Sequence, residues 1–265
     1  MQLFLRLYLF RTILILWIAL FGAIAQDVWA QTHWPDEQAA GVFHCHADFE
    51  LDRFEQLWNH MATLQQDLIR ELQVSPASEP IHLFLFERKG TYEDYLGLHF
   101  PGVPYRRALF IKERGPGMVF AFLNNEFETD VRHESTHALL HASLPVVPLW
   151  LDEGLAEYFE IPASQRSHDN PHLSKVTWAA KFGQTPDLAG LERIGSLSDM
   201  GATQYRHAWA WVHFMLHGPA EAHDELVSYL AAIQSHSPPG VLSDRLRKRI
   251  PDLDERFREH FRNWN

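Results

Sequence analysis

Apolar residues follow two different spacings along this chain, and the change between them falls near residue 125. Before it, short apolar runs of strand length alternate with polar turns. Strands are expected at 41–48, 81–86, 108–111 and 118–122. Leucines and aromatic residues recur at helical spacing over 51–72, and a shorter helix is expected near 92–98. The first half of the chain is therefore predicted to form a small mixed β-sheet with helices.

Helical spacing dominates the second half, apart from a polar loop over 164–171. Helices are expected at 173–182, 204–217, 221–233 and 252–261. The predicted fold class is accordingly α+β with a helical C-terminal half. Residues 41–162 are expected to form a mixed lobe and residues 163–265 a helical lobe.

Two histidines stand one helical turn apart in the sequence HESTH, residues 133–137. Side chains at i and i+4 share one face of a helix, so the imidazoles of His133 and His137 can reach one metal ion. Glu134 follows the first histidine directly, so its carboxylate lies beside such an ion, within reach of a water there. The pattern also arises by chance in a chain with 17 histidines. The HESTH sequence predicts two of the ligands of a zinc site, His133 and His137, and a candidate general base, Glu134.

A second short helix is expected at 148–160, between Pro148 and Pro162. Glu153 and Glu157 stand at i and i+4 on it, so one can bind a metal while the other accepts a hydrogen bond from a ligand imidazole. Gly154 suits a close approach of helices, which would justify a helical glycine that costs about 0.5–1 kcal/mol relative to alanine. Three protein ligands leave a fourth position open, as in catalytic zinc sites.

The motif H-E-x-x-H followed by W-L-x-E-G-L-A-E-Y, residues 150–158, resembles the gluzincin metallopeptidases. Within that class the chain is more closely similar to the bacterial peptidase MA-like, DUF1570-like proteins. The resemblance implies zincin active-site helices that hold one zinc ion. It implies these roles: His133, His137 and Glu153 as ligands, Glu134 as general base, and Glu157 as acceptor for a ligand imidazole. Fifteen residues separate His137 from Glu153, fewer than in thermolysin-like enzymes, so the cleft is expected to differ in shape.

Gluzincins also position a strand and a hydrogen-bond donor around the metal. The resemblance implies that residues 118–125 form the rim of the cleft, where an extended substrate pairs through main-chain hydrogen bonds. In relatives a Tyr or His from a downstream helix stabilises the oxyanion, which makes Tyr205 and His207 the candidates here. Tyr205 and the tryptophans near it fit an aromatic core equally well.

Some polar residues near these motifs have an ordinary explanation beside a functional one. Arg106 and Arg107 could hold a substrate carboxylate, but paired arginines near the start of a strand are more often solvated or salt-bridged. His141 lies one turn beyond His137, about 6 Å further along the axis, so helix-end packing is expected of it.

The first 25 residues have the pattern of a targeting segment. Arg6 and Arg11 precede an uncharged run of fifteen residues, 12–26, which also contains small residues suited to cleavage. This run is shorter than the roughly 18–20 residues of a spanning helix, so a secretory signal is expected, with an uncleaved membrane anchor as the alternative. The protein is then exported, to the periplasm or out of the cell.

The composition limits the possible partners. A net charge of −11 argues against nucleic acid and anionic membrane surfaces, and a hydrophobic content of 46% is that of a globular chain. One cysteine cannot form an internal disulfide, so packing must stabilise the fold. Membrane contact is expected only through an uncleaved N-terminal segment.

The function predicted from the sequence is an exported zinc peptidase that acts on peptides or proteins. Two alternatives remain at this point: an inactive peptide-binding module of the cell envelope, and a zinc amidase that acts on a non-peptide bond.

Overall fold

The computed structural model describes residues 34–113 and 115–264. The expected N-terminal signal or anchor, residues 1–25, lies outside these ranges. Within them, no helix combines the length and the apolar character needed to cross a bilayer.

A five-stranded mixed sheet lies in the N-terminal half, as predicted, with strand order β1-β2-β3-β5-β4. The strands are β1 (Asp36–Ala40), β2 (Phe43–Ala47), β3 (Ile81–Phe86), β4 (Ala108–Ile111) and β5 (Met118–Phe122). β3 pairs in parallel with both β2 and β5, while β1 and β4 are antiparallel edge strands. The four predicted strands are confirmed.

β1 is a strand that the sequence pattern did not predict. Its sequence, DEQAA, has no β-branched or aromatic residue, so pairing with β2 rather than local preference forms it. The connecting turn contains Gly41 with a positive φ of 63°, and a Cβ there would lie 2.9 Å from the carbonyl oxygen of Ala62. Glycine is therefore required at this turn both for conformation and for space.

The expectation that residues 118–125 form the rim of the cleft is wrong. β5 lies between β3 and β4, so its main-chain groups are already paired. All five of its residues are buried, as in an inner strand. The edge next to the candidate site is β4 instead, because the chain doubles back and β4 pairs on the outside of β5.

Helices make up most of the rest of the chain. They are α1 (Glu55–Leu72), α2 (Lys89–His99), α3 (Phe127–Ser143), α4 (Leu149–Phe159), α5 (Leu173–Lys181), α6 (Leu188–Glu192), α7 (Ala202–His217), α8 (Ala220–Gln234), α9 (Leu242–Arg249) and α10 (Leu253–Asn263). The helical C-terminal half is confirmed. α6 and α9 were not predicted: α6 has only five residues, and α9 is mostly charged and buries only three.

Close packing of α4 on α7 brings Glu153 of α4 and Tyr205 of α7 to the same cleft. A Cβ added to Gly154 of α4 would lie 2.8 Å from the backbone of Ala208 in α7, closer than atoms can approach. The expected role of Gly154 in close helix approach is confirmed. Because Glu153 is its neighbour in α4, the same contact sets the distance between that carboxylate and α7.

The core is continuous from the sheet through α3 and α4 to α7 and α10. Asp36–Asn265 forms a compact unit, in which α4 and α7 pack across the expected boundary between residues 162 and 163. The division into two lobes stays a prediction.

Candidate metal centre

Three side chains from two helices meet at one point. His133 and His137 lie one turn apart on α3, and Glu153 reaches them from α4. Glu153 Oε2 lies 3.5 Å from His133 Nε2 and 3.6 Å from His137 Nε2. The two Nε2 atoms are 3.2 Å apart.

These distances fit the donor set of a zinc site. Four ligands in tetrahedral arrangement at about 2.0–2.1 Å from zinc lie roughly 3.3–3.4 Å from one another. The three measured separations, 3.2, 3.5 and 3.6 Å, bracket that value. Two imidazoles and one carboxylate are also the ligand chemistry of catalytic zinc, so the residues present suit the ion.

The other nitrogen of each ring contacts a carboxylate. His133 Nδ1 donates to Glu160 Oε2 at 2.8 Å. His137 Nδ1 lies 2.9 Å from Asp152 Oδ1, at an angle away from a straight hydrogen bond. A proton held on each Nδ1 leaves the Nε2 lone pairs directed at the shared point, which is the tautomer needed for metal binding.

Glu157, the residue predicted to orient a ligand histidine, makes a different hydrogen bond. Its Oε2 pairs with His172 Nε2 at 3.0 Å, while the bond to His133 is made by Glu160. A carboxylate oxygen of Glu157 does lie within 4.8 Å of a His133 nitrogen. Glu160 reaches the ring of His133 because of the way in which α3 and α4 cross. His133 lies against the C-terminal end of α4, and His137 lies against its N-terminal end.

Asp152 and Glu160 are the functional candidates that sequence reasoning missed. A signal for Glu160 existed: position i+7 of a helix lies about 20° from position i, whereas i+4 lies about 40° away. His141 was expected only to pack at the end of α3, yet its Nε2 contacts Asp152 Oδ2 at 3.0 Å. Asp152 is thus held between two imidazoles.

Carboxylates stabilise positive charge around this point. Burial alone would lower the pKa of His137, but Asp152 and Glu153 outweigh it and raise that pKa to about 10. Glu153 and Glu160 likewise raise the pKa of His133 against the effect of burial. Burial would raise the pKa of Glu153, but the two imidazoles outweigh it and lower that pKa to about 2. The surroundings favour a cation.

Two cavities of about 500 Å³ each adjoin the candidate ligands: the first borders His133, His137 and Glu153, and the second borders His133. We call the first the apolar cavity; it is lined by Val103, Pro104, Arg106, Leu109, Phe110, Ile111, Lys112, Leu149 and Leu197. We call the second the acidic cavity; it is lined by Arg106, Arg107, Glu126, Asp130, Glu157 and Glu160. His133, Glu134 and Tyr205 border both, so the predicted base and the predicted donor face the same cleft.

The two candidate oxyanion donors are separated by the structure. Tyr205, in the first turn of α7, borders the cleft, and burial, followed by the charge of Glu153, raises the pKa of its hydroxyl to about 12. It therefore keeps its proton at neutral pH. His207 lines a different cavity, with Lys175 and Trp178, so it is not among the residues that border the ligands.

Comparison with solved structures found M1 zinc metallopeptidases from Deinococcus radiodurans. One is 13% identical and covers 86% of this chain and 51% of its own, with a TM-score of 0.41. A mutant of that enzyme with bound Tyr-Ser-Ala substrate is 14% identical and covers 86% of this chain and 50% of its own, with a TM-score of 0.41. This chain thus spans about half the length of these structures.

No curated protein sequence matches this chain. Residues 128–239 match the family described as a protein of unknown function, DUF1570. That segment contains His133, His137 and Glu153, so the resemblance to this family includes the residues that form the candidate metal centre.

Proposed function

We propose that this protein is an exported zinc-dependent peptidase of gluzincin type. The observation that supports the proposal most directly is the meeting of three ligand atoms at 3.2–3.6 Å, with Glu134 at the same cleft. The cleft contains a base and a hydroxyl donor, and an ion held by the three ligands would add a Lewis acid; these are the groups that amide hydrolysis requires.

A zinc ion held by His133, His137 and Glu153 would polarise the scissile carbonyl and make water more acidic. Glu134 accepts the proton of the attacking water and passes it to the leaving amine. Tyr205 donates its hydroxyl hydrogen to the carbonyl oxygen as negative charge develops there.

The free edge of β4 is the proposed binding place for an extended peptide. Leu109, Phe110 and Ile111 line the apolar cavity beside the ligands, and β4 pairs with β5 on one side only. A peptide can therefore add to this edge through main-chain hydrogen bonds, with its apolar side chains in the cavity. The apolar N-terminal segment, residues 1–25, supports export.

Glu134→Gln and Glu153→Ala test the proposal together. Glu134→Gln retains size but removes the base, so it is expected to keep about one zinc per chain and to lose hydrolysis by about 10²-fold or more. Glu153→Ala removes a ligand and is expected to lose most zinc at neutral pH while staying folded. Metal analysis, circular dichroism and digestion of a peptide library measure these outcomes.

A zinc-loaded wild type that cuts no peptide in the library would overturn the peptidase and favour a peptide-binding module. Wild-type activity equal to that of Glu134→Gln would mean that a contaminant does the cutting. Full zinc retention in Glu153→Ala would exclude that residue as a ligand.

A further inference from the structure

Arg106 stands where the apolar and acidic cavities meet. It borders both of them, together with His133 and Glu134. Its carbonyl oxygen accepts a hydrogen bond from the hydroxyl of Tyr92 at 2.9 Å, which fixes its backbone just before β4. Its charge acts on Tyr205, lowering the pKa of that hydroxyl against the larger effect of burial. The guanidinium is therefore close to the reacting groups.

The charge of Arg106 is not neutralised by an ion pair within the described ranges. No carboxylate of residues 34–113 or 115–264 forms a salt bridge with it. The adjacent Arg107 differs, because its guanidinium donates to Asp130 Oδ1 at 2.8 Å. Of this arginine pair, Arg107 is thus already occupied, and Arg106 is exposed in the cleft.

The distribution of charge decides on which side an anion can bind. The acidic cavity is lined by the carboxylates of Glu126, Asp130, Glu134, Glu157 and Glu160. The apolar cavity shares Glu134 with the acidic one; its other carboxylates, Asp152 and Glu153, contact the imidazoles of His133 and His137, and Lys112 adds a positive charge. An anionic group is therefore repelled from the acidic cavity and tolerated in the apolar one.

We propose that Arg106 binds a carboxylate of the substrate on the side of the apolar cavity. The planar fork of a guanidinium can hold a carboxylate through two parallel hydrogen bonds. The carboxylate is either the C-terminus of a short peptide or an Asp or Glu side chain of a longer one. This inference rests on the proposed peptidase, since it names the substrates that the cleft selects.

Binding without turnover tests the inference. The full chain with Glu134→Gln, loaded with zinc, is titrated by calorimetry with acetyl-Ala-Ala-Phe-Ala as free acid and as amide. A second pair, acetyl-Ala-Ala-Phe-Asp-Ala amide and its Asn analogue, carries the charge on a side chain. At least one carboxylate form is expected to bind about tenfold or more tightly than its neutral partner, and which pair shows the difference identifies the source.

Variants of Arg106 and Arg107 show which arginine causes the tighter binding of the carboxylate form. Arg106→Ala and Arg106→Gln are expected to bind the acid form no more tightly than the neutral form. Arg106→Lys is expected to keep part of the difference, as a point charge without the fork. Arg107→Ala is the matched control and is expected to keep the full difference, because Arg107 already pairs with Asp130.

Equal binding of all charged and neutral forms, or a preference that survives Arg106→Ala, would overturn the role of Arg106. So would the absence of binding by every carboxylate form. Hydrolysis by the wild type is a separate measurement: cutting without a carboxylate preference leaves the peptidase standing and removes this inference. A carboxylate preference in binding, without hydrolysis by the wild type, would support carboxylate binding by Arg106 and contradict the peptidase.

Discussion

At the scale of single residues, the candidate site depends on which nitrogen of each imidazole holds the proton. Glu160 and Asp152 contact the Nδ1 atoms of His133 and His137, so both Nε2 atoms face Glu153. Partners of this kind orient a ligand ring and make it more basic. The carboxylates outside the ligand set are therefore expected to contribute to metal affinity.

Glu160→Ala is expected to weaken zinc affinity about 10- to 100-fold without abolishing binding, because the ring of His133 loses its hydrogen-bond acceptor. Competition with a chromophoric chelator at neutral pH measures the affinity. Glu157→Ala is the control: it removes the pair with His172 and leaves the hydrogen bond of Glu160 to His133 intact. If the loss were larger for Glu157→Ala than for Glu160→Ala, the orienting role would return to Glu157.

At the scale of elements, α3 and α4 bring the three candidate ligands together, and the contact between α4 and α7 adds Tyr205 to the same cleft. α4 carries Glu153, and α7 carries Tyr205 in its first turn. Gly154 lets the helix backbones approach to a distance that a methyl group would prevent. The cost in stability of a glycine within α4 is thus offset by the close packing that the glycine permits.

Gly154→Ala is expected to destabilise the protein by about 1–3 kcal/mol, because the new methyl group meets the backbone of Ala208 rather than a movable side chain. Urea unfolding measures the change. Gly97→Ala in α2 is the matched control: nothing lies within 4 Å of its added Cβ, so a gain of about 0.5–1 kcal/mol is expected. If Gly154→Ala left the free energy of unfolding unchanged, α4 and α7 would be able to separate at little cost.

At the scale of the whole molecule, a hydrogen bond between buried His213 and half-buried His260 joins the last helix, α10, to α7. His213 Nε2 donates to the carbonyl oxygen of Ser167 at 3.1 Å, and its Nδ1 accepts from His260 Nε2 at 3.0 Å. Burial lowers the pKa of His213 to about 3 and that of His260 to about 4. The rings of His213 and His260 are therefore neutral in the folded protein at neutral pH.

The free energy of unfolding is expected to fall as pH decreases from about 6.5 to about 4. In the unfolded chain these histidines bind protons below about pH 6.5, whereas folded His213 and His260 do not until pH 4 or lower, so protons favour unfolding in that window. Urea unfolding at several pH values measures the slope. His260→Phe is expected to reduce it, and an unchanged slope would contradict the assignment. The wild type and His260→Phe share the groups with raised pKa values, such as His137. The contributions of these groups therefore cancel when the two slopes are compared.

Much of the secondary structure followed from the sequence because period-2 and period-3.6 patterns are properties of one element at a time. The four predicted strands and the spacing of His133 and His137 are of this kind. β1 was missed because it exists only by pairing with β2. The position of β5 inside the sheet could not be predicted, since the same apolar run is compatible with an edge or a central place.

The sequence by itself determined that two histidines share a helix face, that a glutamate follows the first, and that another helix with Glu153 comes soon after. Only the tertiary structure decided that Glu160, and not Glu157, meets His133, that Tyr205 and His207 face different cavities, and that β4 is the free edge. The reason is physical. Side-chain spacing within a helix is set by 3.6 residues per turn, whereas partners on different elements depend on how helices cross and strands pair, which no local pattern encodes.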